Sequence, residues 1–263
     1  SDGSIYFICN PSDKIFKGKI GLFTVSRSAA LFNPMTGEKG RAPGMRVKDD
    51  RTELYIEVKP GESLIVRTYS KSVSGPEYNF YEQAGRSVAL TGKWKLEFKE
   101  GGPVIPSSIL LDEPVLWTTL QGEGYKDFSG SAVYSTTFSM PVTKAKYWSV
   151  DPGTIKESAR VILNGEYIGT LTGPDFSVVI PSAKFKKVNT LEVRVTNLAA
   201  NRIAYMDRNG IEWKKFYNTN FPSRLPQNRK DGLFDASAWP ARPSGMEGPV
   251  AITPVKQVKV LNK

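Results

Sequence analysis

Apolar and polar residues alternate with a period of two through most of the hydrophobic segments of this chain. Leu54, Ile56 and Val58 are separated by Tyr55 and Glu57, and Leu191, Val193 and Val195 alternate with Glu192, Arg194 and Thr196. A strand packed on one face and wet on the other has this pattern. Strands are therefore expected over residues 5–10, 14–25, 29–33, 53–59 and 63–69, punctuated by Asn-Pro, Pro-Gly and Gly-rich turns. Eight more are expected near 94–99, 131–139, 146–150, 158–163, 167–171, 176–180, 190–197 and 249–260. No amphipathic helix of three turns and no repeat of 20–50 residues is evident. Asn164-Gly165 divides two alternating runs, and a two-residue Asn-Gly loop is a strong hairpin signal because both residues tolerate positive φ. The register it implies sets Leu163 opposite Glu166, Val161 opposite Ile168 and Ala159 opposite Thr170, with Val161 and Ile168 on the core face.

These elements predict an all-β protein of two antiparallel β-sandwich modules. Residues 1–88 would form a small sandwich, immunoglobulin-like or similar, and residues 89–263 a jelly roll. The stretch 71–85 reads as a linker or connecting loop, and Asp151-Pro152-Gly153 as a turn. Trp94 and Trp148 are expected in the core. Residues 200–248 fit no strand plan and form a long loop insertion rich in aromatics, which argues against disorder. Two readings of that insertion stand side by side. Trp213, Tyr217 and Trp239 present a flat platform for a sugar ring, with Asn201 and Arg202 holding hydroxyls or a carboxylate, or the aromatics pin the loop onto the sandwich. Trp117 and Tyr125, in and beside the Gly-rich stretch 118–130, offer a second candidate platform.

Several of these segments carry a recognisable order of residues. Trp148-x-Val150-Asp151-x-Gly153 precedes Ala159-x-Val161-x-Leu163-Asn164-Gly165 and Ile168-Gly169-Thr170. Pro174-x-Phe176, then Asn189-x-Leu191-Glu192-Val193-x-Val195-Thr196-Asn197-Leu198, and Asn201-Arg202 follow. Upstream stand Leu90-Thr91-Gly92-Lys93-Trp94 and Phe128-Ser129-Gly130-Ser131-Ala132-Val133-Tyr134, and downstream Pro243-Ser244-Gly245-Met246-Glu247-Gly248-Pro249-Val250. This order resembles the galactose-binding-like, sugar-binding jelly roll of family 2 glycoside hydrolases, and more closely the C-terminal part of family 106 α-L-rhamnosidases. Met246-Glu247 departs from the Leu-Leu of that family's closing element. Tyr6-Phe7-Ile8-Cys9-Asn10 resembles the strand that follows the catalytic barrel in such enzymes.

The resemblance implies a non-catalytic accessory region of a rhamnosidase-like glycoside hydrolase acting on plant-type polysaccharide. Its partners would be an upstream catalytic domain of the same polypeptide and the glycan, and its setting periplasmic or extracellular, as part of a secreted bacterial enzyme. Two alternatives remain: a stand-alone carbohydrate-binding protein, and a carboxylate-dependent glycosidase or lyase in its own right. A structural calcium is common in galactose-binding-like jelly rolls, but no spaced acidic loop marks one here. No other cofactor is expected.

Composition narrows the chemistry. The 263 residues include no histidine, which excludes Ser-His-Asp and Cys-His nucleophiles and histidine acid-base work. No glycine-rich phosphate loop follows a strand-like run. The single cysteine, Cys9, excludes an internal disulfide and is expected to be a buried structural thiol. The net charge is +10, with 13 basic against 10 acidic residues up to residue 90 and 23 against 16 beyond it. Such a field attracts nucleic acid, anionic membranes or acidic polysaccharide. No nucleic-acid-binding pattern accompanies it, no run is apolar enough to insert in a membrane, and the N-terminus lacks signal-peptide features. Acidic, pectic-type glycan fits the charge because Arg pairs well with carboxylates.

Overall fold

The computed structural model describes residues 2–173, 175–214 and 221–260. It is an all-β protein of antiparallel sheets arranged as β-sandwiches, with one α-helix among the described residues. Two compact units are formed. The first comprises Ser1–Arg86, Thr143–Trp148 and Thr253–Lys263, and the second Ser87–Val142 and Ser149–Ile252.

In the first unit the strands are β1 (Ile5–Cys9), β2 (Phe16–Leu22), β3 (Ser28–Phe32), β4 (Lys39–Arg41), β5 (Arg46–Lys48), β6 (Arg51–Val58), β7 (Ser63–Tyr69) and β8 (Tyr81–Gln83). The first seven form a four-stranded sheet, β1-β7-β3-β4, and a three-stranded one, β2-β6-β5, while β8 pairs with the strand at residues 251–257. Leu31, Leu64 and Val66 of the first sheet share one buried cluster with Leu22, Leu54, Ile56 and Val58 of the second. Alternate residues of each strand supply this cluster because successive side chains point to opposite faces.

Two expectations are corrected here. Cys9 is exposed, because β1 turns Tyr6 and Ile8 toward the cluster and leaves Ile5, Phe7 and Cys9 on the other face. The stretch 71–85 is not a plain connecting loop: Tyr78 and Phe80 are buried in the same cluster, with ring centroids 5.1 Å apart and Tyr55 edge-on to Phe80 at 5.7 Å. Burial pushes the Tyr78 phenol well above its usual range.

The remaining strands are β9 (Val88–Ala89), β10 (Trp94–Gly102), β11 (Ile109–Leu111), β12 (Ser129–Ser139), β13 (Tyr147–Asp151), β14 (Thr154–Lys156), β15 (Ser158–Leu163), β16 (Glu166–Thr172), β17 (Val178–Pro181) and β18 (Val188–Thr196). After them come helix α1 (Ala200–Arg208) and strands β19 (Arg229–Lys230), β20 (Leu233–Phe234), β21 (Gly245–Glu247) and β22 (Ala251–Gln257). In the second unit a six-stranded sheet runs β11-β10-β12-β18-β15-β16. Its buried face is built from cross-strand rows: Leu96 opposite Tyr134 opposite Val193 opposite Val161, and Phe98 opposite Ala132 opposite Val195 opposite Ala159. Trp94 and Trp148 are both buried, as expected.

Asn164 and Gly165 both take positive φ, as an Asn-Gly hairpin requires. The register holds at the turn, where Leu163 faces Glu166, and then shifts. A bulge next to Val161 places Gly169 opposite Val161 and Leu171 opposite Ala159, so Ile168 and Thr170 do not take the expected positions. The reason is packing: the extra residue brings Leu171 to the buried face, which strict alternation from Ile168 would have turned outward.

Tyr134 ties the centre of this sheet to its loops. The ring is fully buried, its hydroxyl donates to the Val115 carbonyl at 2.8 Å and accepts from the Met246 amide at 3.2 Å, and burial raises its pKa. Tyr134→Phe is expected to cost about 1–3 kcal/mol, since a buried carbonyl and amide lose a partner while the shape is kept. Equilibrium urea unfolding measures this, and a loss below 0.5 kcal/mol, roughly the error of such a measurement, would refute the assignment.

Candidate functional site

Within the 200–248 insertion, several described residues gather around one buried carboxylate. Asp207, on the last turn of α1, accepts from Trp213 Nε1 at 2.7 Å, from Lys214 Nζ at 2.8 Å and from the Ala236 amide at 2.8 Å. Lys214 also donates to the Phe234 carbonyl at 2.7 Å and lies 5.5 Å from the Trp213 ring and 5.4 Å from the Phe234 ring. Phe234 sits edge-on between Trp213 and Trp239, at 6.5 and 5.8 Å, and Trp239 donates its indole N–H to Asn228 Oδ1 at 2.8 Å. Asp235 accepts from the Ser237 hydroxyl and amide, which hold its carboxyl below the usual range. Tyr217 lies outside the described residues.

Both described tryptophans of the expected platform are therefore half-buried, with ring edges and indole donors engaged within the insertion. Trp239→Ala is expected to lower stability by about 1–3 kcal/mol by the loss of buried aromatic area. Thermal unfolding followed by near-ultraviolet circular dichroism checks this, and an unchanged midpoint would count against it.

The other candidates form the tie between the insertion and the sandwich. Asn201, buried in the first turn of α1, donates to the Arg242 carbonyl at 3.0 Å and accepts from the Arg242 amide at 2.8 Å. Asn197 accepts from the Gly130 amide at 2.8 Å and donates to the Phe128 carbonyl at 3.0 Å and to Ser244 Oγ at 2.9 Å. The Arg202 amide donates to Ser129 Oγ at 3.0 Å, while its exposed side chain passes so close to Gly102 that an added Cβ there would stand 3.0 Å from the guanidinium carbon. Residues singled out by their order in sequence, at 128–130, 197, 201–202 and 244, thus meet in one polar knot that satisfies backbone groups. Trp117 is fully buried, its ring edges against Phe98 and Phe128, and Tyr125 is buried with its hydroxyl donating to the Ser107 carbonyl at 3.2 Å. Neither offers an exposed ring face. Among the described residues no group of three or more His, Cys, Asp or Glu is placed to hold a metal ion, and no helix is long and apolar enough to cross a membrane.

A site that the sequence reading missed lies on the outward face of the six-stranded sheet. A groove of about 420 Å³ is lined by Glu100, Ser131, Ser158, Arg160, Arg194 and Thr196 among others. Arg160 on β15 stands directly opposite Arg194 on β18, with Thr170 of β16 beyond Arg160. Arg194 reaches Glu100 Oε1 at 2.5 Å, and Ser131 Oγ and Thr196 Oγ1 are hydrogen-bonded at 2.8 Å. The hairpin pattern places Arg160 outward, but only the pairing of β15 with β18 reveals the two arginines as neighbours. Among the described residues that line the groove, Glu100 is the single carboxylate.

The chain is a β-sandwich region similar to parts of larger glycoside hydrolases. Over 97% of its length the chain is similar in structure to a rhamnosidase from Novosphingobium sp. PP1Y, with a TM-score of 0.73, 26% sequence identity and 23% of that chain covered. Over 194 residues it is 31% identical to a "Putative beta-glucuronidase" of Formosa agariphila, a match that covers 70% of this chain and 16% of the other. The chain thus spans less than a quarter of the length of either relative. No protein-family profile matches it.

Proposed function

We propose that this chain is a non-catalytic accessory β-sandwich region of a rhamnosidase-like glycoside hydrolase, supporting a catalytic domain elsewhere in the same polypeptide. The observation that carries this reading is the likeness of nearly the whole chain to a quarter-length portion of a rhamnosidase. Two features of the site support it. The motif residues at 128–130, 197, 201 and 244 are engaged in backbone ties, and the groove brings together no second carboxylate, whereas hydrolysis by two carboxylates needs a pair about 5–9.5 Å apart. Under this reading the purified chain leaves aryl α-L-rhamnosides and aryl β-glucuronides uncleaved. An antibody against it should detect, in source cells, a polypeptide several times heavier than 29.1 kDa. Turnover of a rhamnoside that disappears on a single Asp or Glu substitution would overturn the proposal, as would a native band at 29.1 kDa.

A further inference from the structure

The outward face of the six-stranded sheet contains an arrangement that folding alone does not favour. Like charges directly opposite one another on neighbouring strands are destabilising, yet Arg160 and Arg194 occupy such positions on β15 and β18. The protein offsets only one of them. Arg194 is drawn to Glu100 at 2.5 Å, and Glu100 is itself largely exposed, while the side chain of the exposed Arg160 has no hydrogen-bonded or ionic partner among the described residues. Glu97, which shares the cross-strand row of Arg194 and Arg160 through Val133, is already held by Lys95 at 3.2 Å and Lys99 at 2.8 Å.

Around the two guanidinium groups the groove presents hydroxyls. Ser131 and Thr196 are bonded to each other across β12 and β18, Ser158 lies one strand further along the same row, and Thr170 borders Arg160. The cavity of about 420 Å³ falls within the range of small-ligand sites. Two planar guanidinium forks match the geometry of a carboxylate or another oxyanion, and hydroxyls match the donors and acceptors of a sugar ring. We propose that this groove is a binding subsite for the anionic group of an acidic glycan, a uronate carboxylate or a sulfate ester, with Arg160 and Arg194 as the pair that receives it and Glu100 as an internal competitor for Arg194. The assignment holds whether the chain is an accessory region or binds glycan on its own, so it does not stand or fall with the function proposed above.

The test is calorimetric titration of the 263-residue chain with three probes of similar length: trigalacturonic acid, a sulfated galactose oligomer and an uncharged galactose oligomer. One or both charged probes should bind and the uncharged one should not, and the tighter of the charged pair identifies the anionic group. Arg160→Ala and Arg194→Ala should each weaken that binding about tenfold or more, and Glu100→Gln should tighten it severalfold. Lys48→Ala, an exposed basic position in the first unit, should leave it unchanged and so controls for the general positive charge. Because Arg160 is exposed and faces a like charge, Arg160→Ala should unfold at the same temperature as the parent or higher, which separates lost binding from lost structure. Failure of every probe to bind, equal binding of the uncharged oligomer, unaltered affinity in both arginine variants, or a matching loss in Lys48→Ala would each overturn the proposal.

Discussion

Asp207→Ala is expected to destabilise the second unit by about 3–5 kcal/mol, the range for removing one partner of a buried ion pair. The side chains of Asp207 and Lys214 are only 3% and 13% exposed, so solvent does little to screen the charge left behind. The carboxylate is also shared: the Trp213 indole and the Ala236 amide lose their acceptor in the same step. Lys214 would keep the Phe234 carbonyl and the faces of two aromatic rings, which soften the loss without replacing the counter-charge. Asp207→Asn retains part of the hydrogen bonding and removes the charge, so it should cost less than the alanine variant. Urea unfolding followed by tryptophan fluorescence measures both, since Trp213 and Trp239 report on the insertion directly. A loss under 1 kcal/mol for the alanine variant, below the net worth of even a few neutral hydrogen bonds, would refute the central role of Asp207.

Gly245→Ala is the second large effect, at about 2–5 kcal/mol. Gly245 has φ of +117°, where residues with a Cβ are strained. A Cβ there would stand 2.5 Å from the Tyr134 hydroxyl and 2.9 Å from the Trp117 backbone nitrogen. Strain and overpacking would therefore act together on the hydroxyl that ties Val115 and Met246 to the sheet. Gly210→Ala separates the two contributions, because Gly210 also has positive φ, +63°, but open space where its Cβ would be. It should lose only about 1 kcal/mol. Scanning calorimetry on the pair checks this, and equal losses would show that crowding at Tyr134 contributes nothing.

The groove and the knot illustrate why a site escapes a sequence that yields its fold. Arg160 and Arg194 each look like an ordinary wet position on an alternating strand, and nothing local marks them as opposite one another. The aromatics of the insertion were legible as a cluster, but their exposure depended on Asp207 and Asn228, polar residues unremarkable in sequence that engage both described indoles. Asn201 likewise carried two readings until the Arg242 backbone was placed beside it.

The sequence by itself determined the all-β class, most strand positions and the Asn164-Gly165 turn, because side-chain alternation and the φ tolerance of a turn are properties of neighbouring residues. Tertiary structure alone decided which face of a strand is covered, as Cys9 shows, and how far a register runs before a bulge resets it, as between Val161 and Ile168. It also decided which residues far apart in the chain meet. Alternation defines two faces for every strand, but burial, pairing and the satisfaction of buried polar groups are settled only by what the rest of the chain brings alongside.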